Sequence, residues 1–246
     1  IDCGEYAERH AVAKLIGAPP GYVGYDDNPG LLNAVRERPF SILLFDEIEK
    51  MSEEISNKVL LSILDEGTVT LSNGSKVDFK NSIIIFTSNI GTKDLQLKGD
   101  GMGFAKLSEE EKKKSDEATI MKAVKKHFRP EFINRLSTIT VFNELSKEDM
   151  VKIFDLELKK LTDRLGHKGF TVSVSDSVRD LIIAQTDTKY GARDLSRGII
   201  KYVEDKICEK MIDIDDIESF SSKNISLDID ENSEVVVTFV KVNLTA

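Results

Sequence analysis

The chain reads as α/β, with a first part built on a parallel sheet and a second, smaller α+β part. Three observations predict this. Two short apolar runs, Ser41-Ile42-Leu43-Leu44-Phe45 and Ser82-Ile83-Ile84-Ile85-Phe86, read as strands buried on both faces, as parallel strands usually are. Between them Ile55, Val59, Leu60, Ile63 and Leu64 recur at helical spacing, which makes a strand–helix–strand unit. From about Glu144 the rhythm changes to longer helical stripes broken by short strands. The expected boundaries are 1–143 for the larger part and 144–246 for the smaller.

Each further element has its own signal. Val69-Thr70-Leu71 and Val77-Asp78-Phe79 flank Asn73-Gly74, a pair suited to a two-residue hairpin turn because both residues tolerate positive φ. Residues 99–115 hold three glycines and the run Glu109-Glu110-Glu111-Lys112-Lys113-Lys114, and read as a mobile surface insertion. Ser146 can cap a helix carrying Val151, Phe154, Leu158, Leu161 and Leu165. A strand at 170–174 precedes a helix with Val178, Leu181 and Ile182. The next helix carries Leu195, Ile199, Val203, Ile207 and Met211 in a strict four-residue step, and strands at 225–229 and 235–240 close the pattern.

Composition narrows the function. With 246 residues, 40% of them hydrophobic, the chain can bury a sizeable core. Its 34 Lys and Arg against 43 Asp and Glu give a net charge of −9, which argues against a general nucleic-acid or anionic-membrane partner. No apolar run approaches the roughly 20 residues of a membrane-spanning helix. Cys3 and Cys208 lie far apart, and with three scattered histidines they offer no metal cluster. Such cysteine poverty fits a reducing compartment, cytoplasmic or inside an organelle. There is no basic-then-apolar signal segment. A first residue of Ile1, not Met, makes the chain read as part of something longer.

The strongest local signal is Ile42-Leu43-Leu44-Phe45-Asp46-Glu47. An apolar strand ending in two carboxylates places them at the carboxyl edge of the sheet, where α/β ligands bind. In a nucleotide hydrolase the first acid holds Mg²⁺, and the second orients or deprotonates the attacking water. The second apolar strand ends in Thr87-Ser88-Asn89, so Asn89 would stand at the same edge, within reach of that water or a terminal phosphate. The residues alone also fit strands that stop at polar turns.

Three ordered motifs carry a family. Leu15-Ile16-Gly17-Ala18-Pro19-Pro20-Gly21-Tyr22-Val23-Gly24-Tyr25, Phe45-Asp46-Glu47-Ile48-Glu49-Lys50 and Phe128-Arg129-Pro130-Glu131-Phe132-Ile133-Asn134-Arg135 together resemble the Clp branch of AAA+ ATPases. These are ring-forming unfoldases and disaggregases of the ClpB and ClpC type, and the likeness fits their second, C-terminal ATPase module. The resemblance implies an AAA+ large subdomain, its parallel sheet incomplete at the N-terminus, and a small subdomain. It implies ATP and Mg²⁺ as cofactors, with Asp46 and Glu47 as the Walker B pair and Asp46 as the Mg²⁺ ligand. Asn89 would be sensor 1, Arg135 the arginine finger that reaches a neighbouring subunit's nucleotide, and Arg193 the nucleotide-binding sensor 2. Gly21, Tyr22, Val23 and Gly24 would form the pore loop that grips an extended polypeptide, although the residues alone fit a turn with Tyr22 packed into the core. Met102, Gly103 and Phe104 match a loop that docks on a ClpP-like peptidase, and fit equally a loop tucked onto its own domain. The implied partners are unfolded or aggregated polypeptides, a homo-hexameric ring and a ClpP-like peptidase.

The chain also departs from that pattern. No glycine is followed by lysine, so a GxxxxGK[ST] phosphate loop is not among these residues, and the chain alone is expected to be inactive. Ser137 stands where family members usually carry an acid, and Asp194 where they carry proline. The function implied is ATP-driven threading of polypeptide through a ring. The alternatives are a hydrolysis-dead scaffold module and an unfoldase that feeds a peptidase.

Overall fold

In the computed structural model, β1 (Ile42–Phe45) leads through helix 53–66 into a hairpin, β2 (Thr68–Thr70) and β3 (Lys76–Asp78), and then into β4 (Ile83–Phe86). Residues 1–19, 21, 30–92, 94–95, 109–186, 191–212 and 224–240 are described. They fall into two compact units, Ile1–Phe142 and Asn143–Ala246. β1 and β4 pair in parallel, Ile42 opposite Ile83 through Phe45 opposite Phe86, and the helix and hairpin supply the crossover that parallel pairing requires.

The expectation that these strands are buried on both faces does not hold for this chain. Leu43 and Phe45 are buried, but Ile42 is 69%, Leu44 45%, Ile83 60% and Ile85 44% exposed. Successive side chains of a strand point to opposite faces. One face therefore packs on the core with Ile55, Val59, Leu60 and Ile63, and the other is left open.

Helix 53–66 is held by named groups. Ser52 accepts the Ile55 N–H at its start, and Gly67 ends it at φ 67°, donating its N–H to the Ile63 carbonyl at 3.0 Å. The hairpin differs from a two-residue turn. Leu71 N–H donates to Ser75 O at 2.8 Å, which leaves Ser72-Asn73-Gly74 as a three-residue loop. Gly74 alone takes the left-handed conformation, at φ 82°, while the Asn73 side chain accepts the Ser75 N–H at 2.9 Å.

The charged run also differs from expectation. Met102, Gly103 and Phe104 lie outside the described residues, but Glu109–His127 is a helix of 19 residues whose first turns are the Glu and Lys run. Glutamates at its start and Lys125, Lys126 and His127 in its last turn suit the helix dipole. A short helix, Pro130–Ile133, follows with proline in its first turn. Its Phe132 meets Phe86 edge-on at 5.4 Å, and Phe86 stacks on Phe45 at 5.3 Å, so this helix is packed directly against β1 and β4.

In the second unit, helix Lys147–Gly166 begins with a capping box in which Ser146 and Asp149 satisfy each other's backbone N–H groups. Those hydrogen bonds, from the Ser146 hydroxyl first, hold the Asp149 carboxyl below its usual pKa of 3.8. β5 (Thr171–Val174) runs parallel to β6 (Asn224–Ile229), and β7 (Val235–Val240) runs antiparallel to β6. Helices Asp176–Gln185 and 192–212 cover this sheet, with Val178, Ile182, Leu195, Ile199, Val203 and Ile207 in the core.

Helix 192–212 explains its own four-residue step. In an α-helix each such step drifts by about 40° around the axis. A π-helical turn at Ile200–Glu204 takes up that drift, and Leu195, Ile199, Val203 and Ile207 all stay buried. The same device, at Ser56–Leu60, keeps Ile55, Val59 and Ile63 on one face. Cys3 and Cys208 are both free; burial pushes the Cys3 thiol up to about 11. Among the described residues no helix is long and apolar enough to cross a membrane.

Candidate functional site

Beyond the ends of β1 and β4 the two chains stay joined. Thr87 N–H donates to Phe45 O and Ile48 N–H donates to Thr87 O, each at 3.0 Å. Thr87 therefore stands beside Asp46 and Glu47, and its hydroxyl serves both: it donates to Asp46 Oδ1 and accepts the Glu47 N–H at 3.0 Å. Glu47 has φ 55°, a left-handed conformation that a non-glycine residue holds at a cost of about 1–3 kcal/mol.

The Glu47 carboxylate is held on both oxygens. Oε1 accepts from Asn89 Nδ2 at 3.1 Å, and Oε2 meets Lys50 Nζ at 2.5 Å. This hydrogen bond, and then the carboxylate's charge, raise the pKa of Lys50 above its usual 10.5. Asn89 N–H donates to Glu49 Oε1 at 3.1 Å, while Glu49 Oε2 is buried without a partner among the described residues. Asp46, Glu47 and Asn89, three of the expected site residues, are thus brought together.

The donor set is hard oxygen, from Asp46 and the Thr87 hydroxyl. Among the described residues no group of three or more His, Cys, Asp or Glu side chains could hold a metal alone. A carboxylate with a hydroxyl beside it fits Mg²⁺, which is usually held by one or two carboxylates and shares its remaining positions with phosphates and water.

Comparison with known proteins decides the family. The AAA domain (Cdc48 subfamily) matches residues 1–139, and the C-terminal, D2-small domain of ClpB protein matches residues 145–232. The chain belongs to the Clp family of AAA+ proteins. The ATP-dependent Clp protease ATP-binding subunits ClpC of Staphylococcus saprophyticus subsp. saprophyticus and of Staphylococcus aureus are each 42% identical over 231 residues. That is 94% of this chain but 28% of theirs, so the chain spans under a third of these relatives. Hsp104, solved in a closed state with ATPγS and FITC-casein, matches with a TM-score of 0.79 at 32% identity, covering 97% of this chain and 39% of that one.

The other expected residues of this AAA+ module are spread more widely. Arg135, exposed just after helix Pro130–Ile133, pairs through Nη2 with Asp65 Oδ1 of helix 53–66 at 2.8 Å. Arg193 is exposed in the first turn of helix Ala192–Ile199, in the second unit. Gly21 has φ 86° and open space around it; Tyr22, Val23 and Gly24 lie outside the described residues.

Thr87, Lys50 and Glu49 were not singled out from the sequence. Thr87 was within reach, because one more step of the parallel register after Phe45 and Phe86 sets it opposite Asp46. Lys50 and Glu49 meet the site only because the chain kinks at Glu47, and no residue type in Asp46-Glu47-Ile48 announces a left-handed backbone.

Proposed function

We propose that this AAA+ module hydrolyses ATP within a longer Clp-type protein and uses it to thread unfolded or aggregated polypeptide through a homo-hexameric ring. One observation carries the reading. Asp46, Glu47, Thr87 and Asn89 converge at the tips of two parallel strands with each side chain oriented by another. Asp46 is the Mg²⁺ ligand, held in place by the Thr87 hydroxyl. When bound there, Mg²⁺ would neutralise negative charge on the triphosphate of ATP. Glu47 takes the proton of the attacking water, and Asn89 sets the position of that carboxylate.

Arg135 acts on the nucleotide of a neighbouring copy, which requires it to leave Asp65. Its guanidinium is always charged and can stabilise charge building on the transferred phosphoryl group. Arg193, on helix Ala192–Ile199, is a further phosphate-binding residue in this reading. The likeness to Hsp104 with ATPγS and FITC-casein supports both the nucleotide and the polypeptide substrate. A second reading, an unfoldase that feeds a ClpP-like peptidase, is favoured by the identity with ClpC, an ATP-binding subunit of a Clp protease. Met102, Gly103 and Phe104 would be its docking residues.

The test is Tyr22→Ala in the full-length protein. ATP turnover without substrate stays near wild type, while unfolding of a fluorescent protein bearing an unstructured tail is lost. Unchanged unfolding sinks the gripping role, and absence of ATP turnover in the wild-type protein leaves the hydrolysis-dead scaffold as the answer.

A further inference from the structure

The segments 14–17 and 30–32, which flank residues 18–29 in the sequence, are joined by a ladder of backbone bonds. Leu31 N–H donates to Lys14 O at 2.9 Å, and Leu32 N–H donates to Leu15 O at 3.0 Å. Gly30, at φ 84°, is pressed against the opposite segment: a side-chain carbon there would lie 2.4 Å from Gly17 N and 2.6 Å from Leu15 O. Only glycine permits that approach, so the two segments are held against each other.

A residue from elsewhere in the chain bonds to the first of these segments. Ser72, at the tip of the β2–β3 hairpin, donates its N–H to Ile16 O at 2.9 Å and its hydroxyl to Gly17 O at 2.5 Å. The hairpin in turn is fixed to helix 53–66, because Phe79 N–H donates to Gly67 O at 2.7 Å immediately after that helix ends. Asp65, which holds Arg135, lies two residues before Gly67. A continuous path of hydrogen bonds and one ion pair therefore runs from Arg135 through helix 53–66 and the hairpin to Ile16 and Gly17, a few residues before Gly21 and Tyr22 in the sequence.

We propose that Ser72 is a positioning residue that ties the hairpin to the base of the gripping loop, so that load on the loop is borne by the hairpin and helix 53–66. This rests on the reading of Gly21, Tyr22, Val23 and Gly24 as the polypeptide grip. The side chain matters because a serine hydroxyl offers one more bond than the backbone at a loop tip requires. That bond falls on Gly17, the last residue of the segment 14–17. Ser72 touches neither nucleotide nor polypeptide, and its effect belongs to force transmission, not to ATP chemistry.

The experiment uses the full-length protein and compares Ser72→Thr, which keeps the hydroxyl, with Ser72→Val, which has the same shape without it. Ser72→Val lowers the maximal unfolding rate of a tailed fluorescent protein by roughly three- to tenfold, the equivalent of one lost hydrogen bond. ATP turnover without polypeptide and the half-saturating concentration of the substrate stay unchanged, and Ser72→Thr unfolds near the wild-type rate. Hydrogen exchange at the Leu31 and Leu32 amides speeds up in Ser72→Val by a similar factor, a readout that needs no activity. Equal impairment in both variants, or a parallel fall in ATP turnover, overturns the proposal. So does unchanged unfolding in Ser72→Val when Tyr22→Ala, run beside it, is impaired. Unchanged unfolding in Tyr22→Ala overturns the grip itself, and this coupling with it.

Discussion

In the second unit β6 turns Ile225 and Leu227 into the core and Ser226 and Asp228 outward; in the first unit β1 turns Leu43 and Phe45 inward and Ile42 and Leu44 outward. In the second sheet β5 and β6 alternate apolar and polar residues, turning Thr171, Ser173, Ser226 and Asp228 outward, and on β7 Val236 is an outward apolar residue at 41% exposure, so most of the outer face is suited to water without help. The first sheet is apolar on both faces, and the helices packed on it cover one. The difference separates two things that an apolar strand can encode. In the second unit hydrophobicity records the packing within the unit. In the first it exceeds that packing, and beyond the strand ends Asp46, Glu47 and Asn89 are drawn together by Thr87 and by the Asn89–Glu47 hydrogen bond.

Three substitutions press on this contrast at its strongest points. At the strand tips, Glu47→Gln in the full-length protein should lower ATP turnover by about 10²- to 10⁴-fold, the usual contribution of a general base, while nucleotide binding persists. Steady-state hydrolysis and nucleotide titration measure both, and normal turnover would remove Glu47 from catalysis. On the faces, the same change should have unlike effects in the two units. Leu227→Ala, on the inner face of β6 and fully buried, should destabilise by about 2–5 kcal/mol. Leu44→Ala, on the open face of β1, should destabilise by less than about 1 kcal/mol. Urea unfolding of the chain gives both values, and equal losses would mean that the open face is packed in solution.

Much of this was legible because it follows from local rules. The parallel pair, the crossover helix, the Ser146 cap and the closing strands are written in periodicity and capping residues, and the pairing of β1 with β4 brings Asp46 and Asn89 together. What escaped depends on geometry that residue types do not announce. The left-handed turn at Glu47 brings Lys50 and Glu49 to the site. The hairpin turn widened by one residue because Asn73 spent its side chain on Ser75 and left the left-handed slot to Gly74 alone. Exposure of Ile42, Leu44, Ile83 and Ile85 was illegible for another reason: uniform apolarity says that a face can be covered and not what covers it.

The smallest effect expected concerns the four-residue step, which periodicity exposed without explaining. If the π-helical turn at Ile200–Glu204 exists to absorb the drift of that step, removing one residue from it should let an ordinary α-helix do the same work. Deleting Lys201, an exposed residue whose ammonium lies 4.8 Å from the Tyr202 ring, changes the spacing of Leu195, Ile199, Val203 and Ile207 from four, four, four to four, three, four. At about 100° per residue those four side chains then fall within about 60° of one another on a regular helix. The deletion forfeits the cation–π contact, about 0.5–1 kcal/mol, and leaves all four buried contacts in place. Its stability should therefore lie within about 1 kcal/mol of the parent chain, with helix content by circular dichroism unchanged. Inserting an alanine at the same point makes the steps four, five, four, which no single widened turn absorbs, and should lower the unfolding midpoint clearly more. If the deletion unfolds the second unit as readily as the insertion, the widened turn is required for something other than keeping Val203 and Ile207 in the core.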